Sequence, residues 1–315
     1  MAQPANLLDS YDLAGIREDL SDMIYNIDPE ETPFYTSCAK VKATNTLHEW
    51  QTDALRASAD NAHLEGDDTV AEARAATTRL GSYTQIFKNS VTVSGTDSGL
   101  SKAGRAREMA YQILKVGKEQ KLDIEKALFA NQAKSAGSSA TPRRLAGAPA
   151  WLATNVGNNA DGSDPTGDGT DARTDGTQTA FTQADTDTVL QSCWNAGGKP
   201  DTVMLSSFQM DVALGFVGNN NQQATISADG KKVINAMAVY VTPWGQVTFK
   251  PTRENRSRDV FVMQSDMWCV ANLRPTKSEA LAKTGDNEKR QVLTELTLVC
   301  KNEKASGIVA DCSTS

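Results

Sequence analysis

Histidine is almost missing from this chain: 315 residues hold two, His48 and His63. Metal centres and acid–base sites that work near neutral pH draw heavily on imidazole, so this scarcity argues against an enzyme. Cysteine is sparse as well, with Cys38, Cys193, Cys269, Cys300 and Cys312 far apart and no C-x-x-C pair. An odd, scattered set fits neither a disulfide framework nor a zinc cluster, and reads as reduced thiols in a reducing compartment. No apolar run approaches the ~18 residues that a membrane helix needs. Residues 1–12 lack a basic stretch followed by an apolar one. No secretory signal is expected, and the protein is expected to work in the cytoplasm where it is made.

What remains is ordinary in bulk and uneven in detail. Apolar residues make up 39% and charged residues 23%, with a net charge of -7, which suits a soluble globular chain of one large domain or two smaller ones. Residues 1–40 carry eight acidic against two basic residues. Leu13, Ile16, Leu20 and Ile24 predict a helix over 12–27 that Asp28-Pro29 stops. Pro33-Phe34-Tyr35 then predicts an extended segment with aromatic anchors, the end of an arm that must dock on something.

Residues 46–55 and 83–93 predict a two-stranded ribbon, interleaving Leu47, Trp50 and Leu55 on one side with aromatic and β-branched types on the other. The intervening 56–78 are small, charged and Ala-rich, with no core of their own. An isolated hairpin is marginal in water, so this one should lie on another surface, plausibly a second subunit. Residues 101–134 predict a long amphipathic helix, its apolar face formed by Ala106, Met109, Ala110, Ile113, Leu114, Val116, Ile124, Ala127 and Leu128. Gln120 interrupts that stripe. Arg107, Lys115, Lys118 and Lys126 lie opposite, and the segment counts eight basic against four acidic residues. Gly137-Ser138-Ser139 is expected to end it. Residues 155–176 read as a Gly/Asp/Thr surface excursion. Beyond it helices over 182–195 and 208–216 alternate with strands near 202–205, 238–242, 246–250, 260–263, 268–273, 291–300 and Ile308.

Three tempting chemistries have plainer readings. Thr96-Asp97-Ser98-Gly99 imitates the surroundings of a serine nucleophile, but a triad needs a base oriented by a carboxylate, so a turn and helix cap is the better reading. Asp164, Thr166 and Asp168 with Asp175 imitate a calcium loop, yet Pro165 and Arg173 intrude and the flanking helices are missing. His48-Glu49 and His63-x-Glu65 are too short for a metal site. No cofactor and no metal is expected.

The order of parts, and several local words, resemble one family of tailed-phage major capsid proteins with the Hong Kong 97-type fold. The words are Gly15-Ile16-Arg17-Glu18-Asp19-Leu20, Thr32-Pro33-Phe34, Glu49-Trp50-Gln51-Thr52-Asp53, Arg79-Leu80 before Tyr83-Thr84-Gln85-Ile86, Leu273-Arg274-Pro275, Leu281-Ala282-Lys283-Thr284-Gly285-Asp286 and Glu295-x-Thr297-Leu298. The resemblance implies an α+β fold with an N-arm (1–40), an extended loop (41–98), a peripheral domain (99–150 and 285–315) with a spine helix (101–134), and an axial domain (151–284). It implies a non-enzymatic shell protein of the virion, assembled in the bacterial host cytoplasm into hexamers and pentamers around double-stranded DNA. Expected assembly contacts are Phe34, Tyr35, Trp50, Asp53, Glu65, Arg79 and Tyr83. Expected DNA-facing residues, binding phosphates without base readout, are Arg107, Lys115, Lys118 and Lys126. Portal, scaffolding and decoration proteins are further implied partners, scaffolding being a separate chain. The rival readings are an encapsulin-like compartment of the same fold, a calcium-dependent adhesin and a hydrolase.

Overall fold

A computed structural model describes residues 31–66, 68, 74–100, 107–158, 161–216, 225–226, 233–234 and 239–314. The helix expected over 12–27 lies outside the described residues.

The described chain opens with the short helix α1 (Pro33–Ser37) and strands β1 (Ala39–Lys42), β2 (Leu47–Thr52), β3 (Thr78–Tyr83) and β4 (Gln85–Ser94). Helices α2 (Gly95–Gly99) and α3 (Glu108–Phe129) follow, then β5 (Val156–Gly157), α4 (Gln183–Asn195), β6 (Thr202–Leu205) and α5 (Ser207–Leu214). The rest is strand: a small pair, β7 (Thr225–Ile226) and β8 (Val233–Ile234), then β9 (Val239–Thr242), β10 (Gly245–Pro251), β11 (Val260–Met263), β12 (Trp268–Ala280), β13 (Asn287–Cys300) and β14 (Gly307–Val309).

Two sheets organise these elements. One has the order β1-β12-β13-β4, and the other β5-β14-β11-β6-β10-β9. The β12–β13 hairpin is the long axis of the first sheet, and its root alternates between two cores with the period of a strand. Trp268 and Val270 join Leu296, Leu298 and Cys300 under the end of α3. Cys269 and Ala271 point the other way, toward Ala43 and Val299. The larger core is continuous across both sheets, since Phe129 of α3 stacks on Phe261 of β11 at 5.2 Å. The partition expected at 284/285 therefore falls in the turn of a single hairpin. β12 belongs with β13, while β14, expected among the peripheral residues, sits in the six-stranded sheet.

The ribbon partners differ from expectation. β2 pairs with β3, Leu47 opposite Tyr83 and Trp50 opposite Leu80, whereas β4 leaves to pair with β13 along Gln85–Leu296 to Ser94–Asn287. Gly81 lies inside β3, a stretch before residue 83 that was not expected as strand. It is required there because a Cβ would stand 2.8 Å from Glu49 Cγ and 3.2 Å from the His48 carbonyl. Thr84 is the switch between the two sheets: its N–H donates to the Thr46 carbonyl at 2.8 Å and its hydroxyl to Glu295 at 2.8 Å.

Helix α3 also differs. Its buried line is Val116, Gln120, Ile124 and Leu128, joined by Glu125 and Phe129, while Leu114 is 69% exposed. Gln120 is thus part of the packed face. Its amide donates to the carbonyls of Phe87 at 2.9 Å and Val292 at 3.3 Å, tying β4 to β13. The helix ends at Phe129, ahead of the expected Gly137. Asn131 is drawn out to exchange two hydrogen bonds with the Arg173 backbone at 2.7 and 3.0 Å. The Gly147 N–H donates to Gln132 O at 3.0 Å. These tertiary bonds replace the helical ones that residues 130–134 would have made.

The Gly/Asp loop is a lid over Trp151. Gly169, at φ +76, lies so close that a Cβ would stand 2.9 Å from the indole. Arg173, 3% exposed, donates to Asp164 at 2.5 Å and to Leu152 O at 2.9 Å. The loop runs along the surface, with Asp161, Asp164, Thr166, Thr170, Ala172 and Asp175 exposed, yet it is stapled to the body by buried hydrogen bonds. We expect Gly169→Ala to cost about 1–3 kcal/mol, from both the left-handed backbone and the clash. Thermal unfolding of the purified, unassembled subunit measures it, and an unchanged midpoint would mean that the lid does not pack on Trp151.

Candidate assembly surfaces

The arm's described end is built into the chain itself. Phe34 is 1% exposed and packs on Phe129 (4.9 Å) and edge-on to Trp268 (5.8 Å). It is a core residue, which corrects the expectation of an intersubunit contact. An aromatic in an extended-looking segment reads the same in sequence whether the surface it covers is its own or a neighbour's. Tyr35 is half-buried, with the Lys40 ammonium 3.3 Å above its ring.

The ribbon is anchored at one end and free at the other. Trp50 is half-buried and stacks on Trp151 at 5.3 Å, and Tyr83 is half-buried opposite Leu47. Arg79 and Glu49 form an exposed ion pair across the two strands. At the junction, Glu295 (2% exposed) accepts from Thr84, from Arg143 at 2.6 Å and from Arg274 at 2.7 Å. Those three donors hold its carboxyl below the usual range against the opposing effect of burial.

Past Thr52 the pairing stops, and every residue from Asp53 to Gly66 is exposed, Asp53 and Glu65 among them. Leu55 is 99% exposed and Leu64 83%. Sequence reading counted Leu55 in the ribbon's apolar pattern and passed over Leu64, although its isolation in an Ala-rich charged stretch was the available signal. Residues 53–77 carry six acidic against two basic residues. The same chain offers a complementary surface elsewhere. A groove between β4 and α3 is lined by the apolar Ile86, Ala127, Ala130 and Pro142 together with Lys88, Lys126, Arg143 and Arg144, and by Asp123. Ile86 is 46% exposed there.

The four expected DNA-facing residues are all exposed. Arg107, Lys115 and Lys118 lie along one side of α3, Lys115 approaching Glu119 at 3.9 Å, whereas Lys126 turns toward the groove. The imitated chemistries dissolve into local bonds. Ser98 donates to the Gly95 carbonyl at 2.7 Å, and Ser94 caps α2 by accepting from Asp97 N at 3.1 Å. Asp164 is held by Arg173, Asp168 by the Thr166 hydroxyl (2.9 Å) and the Thr170 amide (2.8 Å), and Asp175 by Arg256 at 2.5 Å. Among the described residues, these carboxylates do not gather in a group of three or more that could hold a metal ion. All five cysteines are buried free thiols.

Against known proteins, residues 4–313 match the family model described as SU10 major capsid protein. The chain is 30% identical over 346 residues to the major capsid protein of Escherichia phage Phieco32, covering 98% of this chain and 97% of that one. Its fold matches the capsid asymmetric unit of cyanophage A-1(L) at a TM-score of 0.65, with 14% identity over 98% of this chain and 99% of that one. A chain from Mycobacterium phage Adephagia matches at 0.63, with 13% identity over 98% and 99%.

Trp50→Ala should unseat the ribbon from Trp151. We expect a loss of up to about 3 kcal/mol, the low end for Trp→Ala because Trp50 is only half-buried. Limited proteolysis within 53–77 should accelerate while the rest of the chain stays protected. Unchanged cleavage would show that the ribbon is held by other contacts.

Proposed function

The chain belongs to the SU10 major capsid protein family of tailed phages, and on that premise we propose that its copies join by laying the 53–77 excursion of one subunit into the β4–α3 groove of the next. The family membership makes it a virion component whose copies form an icosahedral shell, with the Hong Kong 97-type fold. The proposal adds how. A head-to-tail contact between two different patches closes into rings when the rotation permits, giving hexamers and pentamers. The four-stranded sheet with α3 acts as the peripheral domain and the six-stranded sheet as the axial one.

The observation that carries this reading is the pair of highly exposed leucines, Leu55 at 99% and Leu64 at 83%, on an acidic segment whose described residues from Asp53 to Gly66 all face solvent. Exposed apolar side chains on a segment without a core mark a surface made to be covered. The groove's lining combines apolar residues with basic ones of opposite charge. Asp53, Glu65 and the Arg79–Glu49 pair then lie at the contact, and Tyr35 and Tyr83 brace the roots that present it. Many such contacts act together, so each one need only be modest. The subunit works as a building block and catalyses nothing. Portal and scaffolding proteins, and on some shells a decoration protein, are its further partners.

Reversing charge on either side tests the contact. Asp60→Lys with Glu65→Lys, or Lys88→Glu with Arg144→Glu, should each block shell formation seen by electron microscopy. The four changes combined should restore it. Normal shells from either pair alone, or no rescue by the combination, would refute the docking.

The exposed basic side of α3 suits packaged double-stranded DNA, held through phosphates alone. Replacing Arg107, Lys115 and Lys118 with Glu should reduce packaged DNA more than shell yield. Equal DNA content in variant and parent shells would remove α3 from that role.

A further inference from the structure

Glu125 is a carboxylate in an unusual position. It is 1% exposed, and among the described residues no cation stands within ion-pairing distance of it. Oε1 accepts the Phe34 N–H at 2.8 Å and Oε2 accepts the Tyr35 N–H at 2.7 Å. These are the first two N–H groups of α1, since Pro33 has none. The local capping residue, Thr32, makes no side-chain cap. The start of α1 is therefore capped from α3, 91 residues away in sequence. Below the cap the Phe34 ring is wedged between Phe129 and Trp268.

Opposing effects act on the Glu125 charge. Burial favours the neutral acid, the two N–H bonds and Lys40 of β1 favour the carboxylate, and Glu254, ahead of β11, disfavours it. The Cys38 thiol and the Tyr35 phenol, the other titratable groups beside it, are pushed up by burial and stay neutral. Lys40 is itself engaged with the ring and carbonyl of Tyr35. Burial wins, and Glu125 titrates at about 7.

We infer that Glu125 is a pH-responsive latch at the root of the arm, holding 33–37 against α3 more firmly in mild acid than in mild alkali. With α1 detached, the carboxylate faces water and titrates in the ordinary range near 4.5. Between that range and about 7 the docked form carries the extra proton, so docking strengthens as pH falls through this window. Above it both forms are ionised, and the docked form bears the full cost of a buried charge. Assembly and the arm's other contacts then take place on a root whose hold on the body depends on the surrounding pH.

Hydrogen exchange of the peptide covering 31–40 tests this on the full-length unassembled subunit, with rates normalised for intrinsic exchange. Opening of the Phe34 and Tyr35 amides should increase roughly tenfold from pH 5.5 to pH 8, each unit of pKa difference being worth a factor of ten. Glu125→Gln should abolish that slope, while Glu119→Gln on the exposed side of α3 should keep it. Where Glu125→Gln fails to fold, Lys40→Met serves instead: losing the nearest cation should move the midpoint of opening upward. Protection that ignores pH, or rises with it, overturns the latch. So does a Glu125→Gln slope equal to the parent's, or an unmoved midpoint in Lys40→Met.

Discussion

A carboxylate buried away from water has to have its lone pairs engaged, and Glu295 on β13 meets that demand by binding Thr84, Arg143 and Arg274 together. Each partner comes from a different part of the chain. Thr84 is where the ribbon becomes β4, Arg143 lies in the connection after α3, and Arg274 is on the neighbouring strand β12. One side chain thereby fixes where the ribbon leaves the body, the direction in which the chain returns from the helix, and the register of the long hairpin. Losing one partner would leave a buried charge short of donors, which is why so many elements meet there.

That junction separates a rigid root from a free tip. On the root side Trp50 stacks on Trp151, and the Gly/Asp loop closes over the same indole through Gly169 and Arg173. On the tip side Leu55 and Leu64 stand in solvent. A subunit that has to reach another copy benefits from this division, because a preorganised root lowers the ordering cost of the contact that the tip makes. Helix α3 serves both ends. Its buried face carries Gln120 and Glu125, which bind the backbone of β4, β13 and α1, and its exposed face carries the basic row.

Much of this was legible beforehand wherever local pattern and tertiary role agree. The helix over 182–195 has its capping box in Thr182 and Asp185, and β11 over 260–263 is a buried apolar run. Positions that were misread share one cause. Gln120 looked like a flaw in an apolar stripe, Asn131 like helix, and the strand around Gly81 went unread. In each case a partner distant in sequence supplies the hydrogen bond or the close approach that reverses the local preference. The Gly/Asp loop is the extreme instance, since nothing in its composition suggests that it covers a tryptophan.

By itself the sequence determined the kind of protein this is. Ordered family words along the chain named a capsid subunit, and the shortage of histidine and paired cysteine removed most chemistry. It also located the acidic excursion and the basic helix, because charge balance is a property of composition. Only the tertiary structure decided which aromatics serve the chain's own core and which surfaces are left for a neighbour. Phe34 went inward and Leu55 outward, although in sequence both are apolar residues in segments that read as extended. Burial depends on what else folds onto a side chain, and for Phe34 that is Phe129 and Trp268, neither of which is near it in sequence.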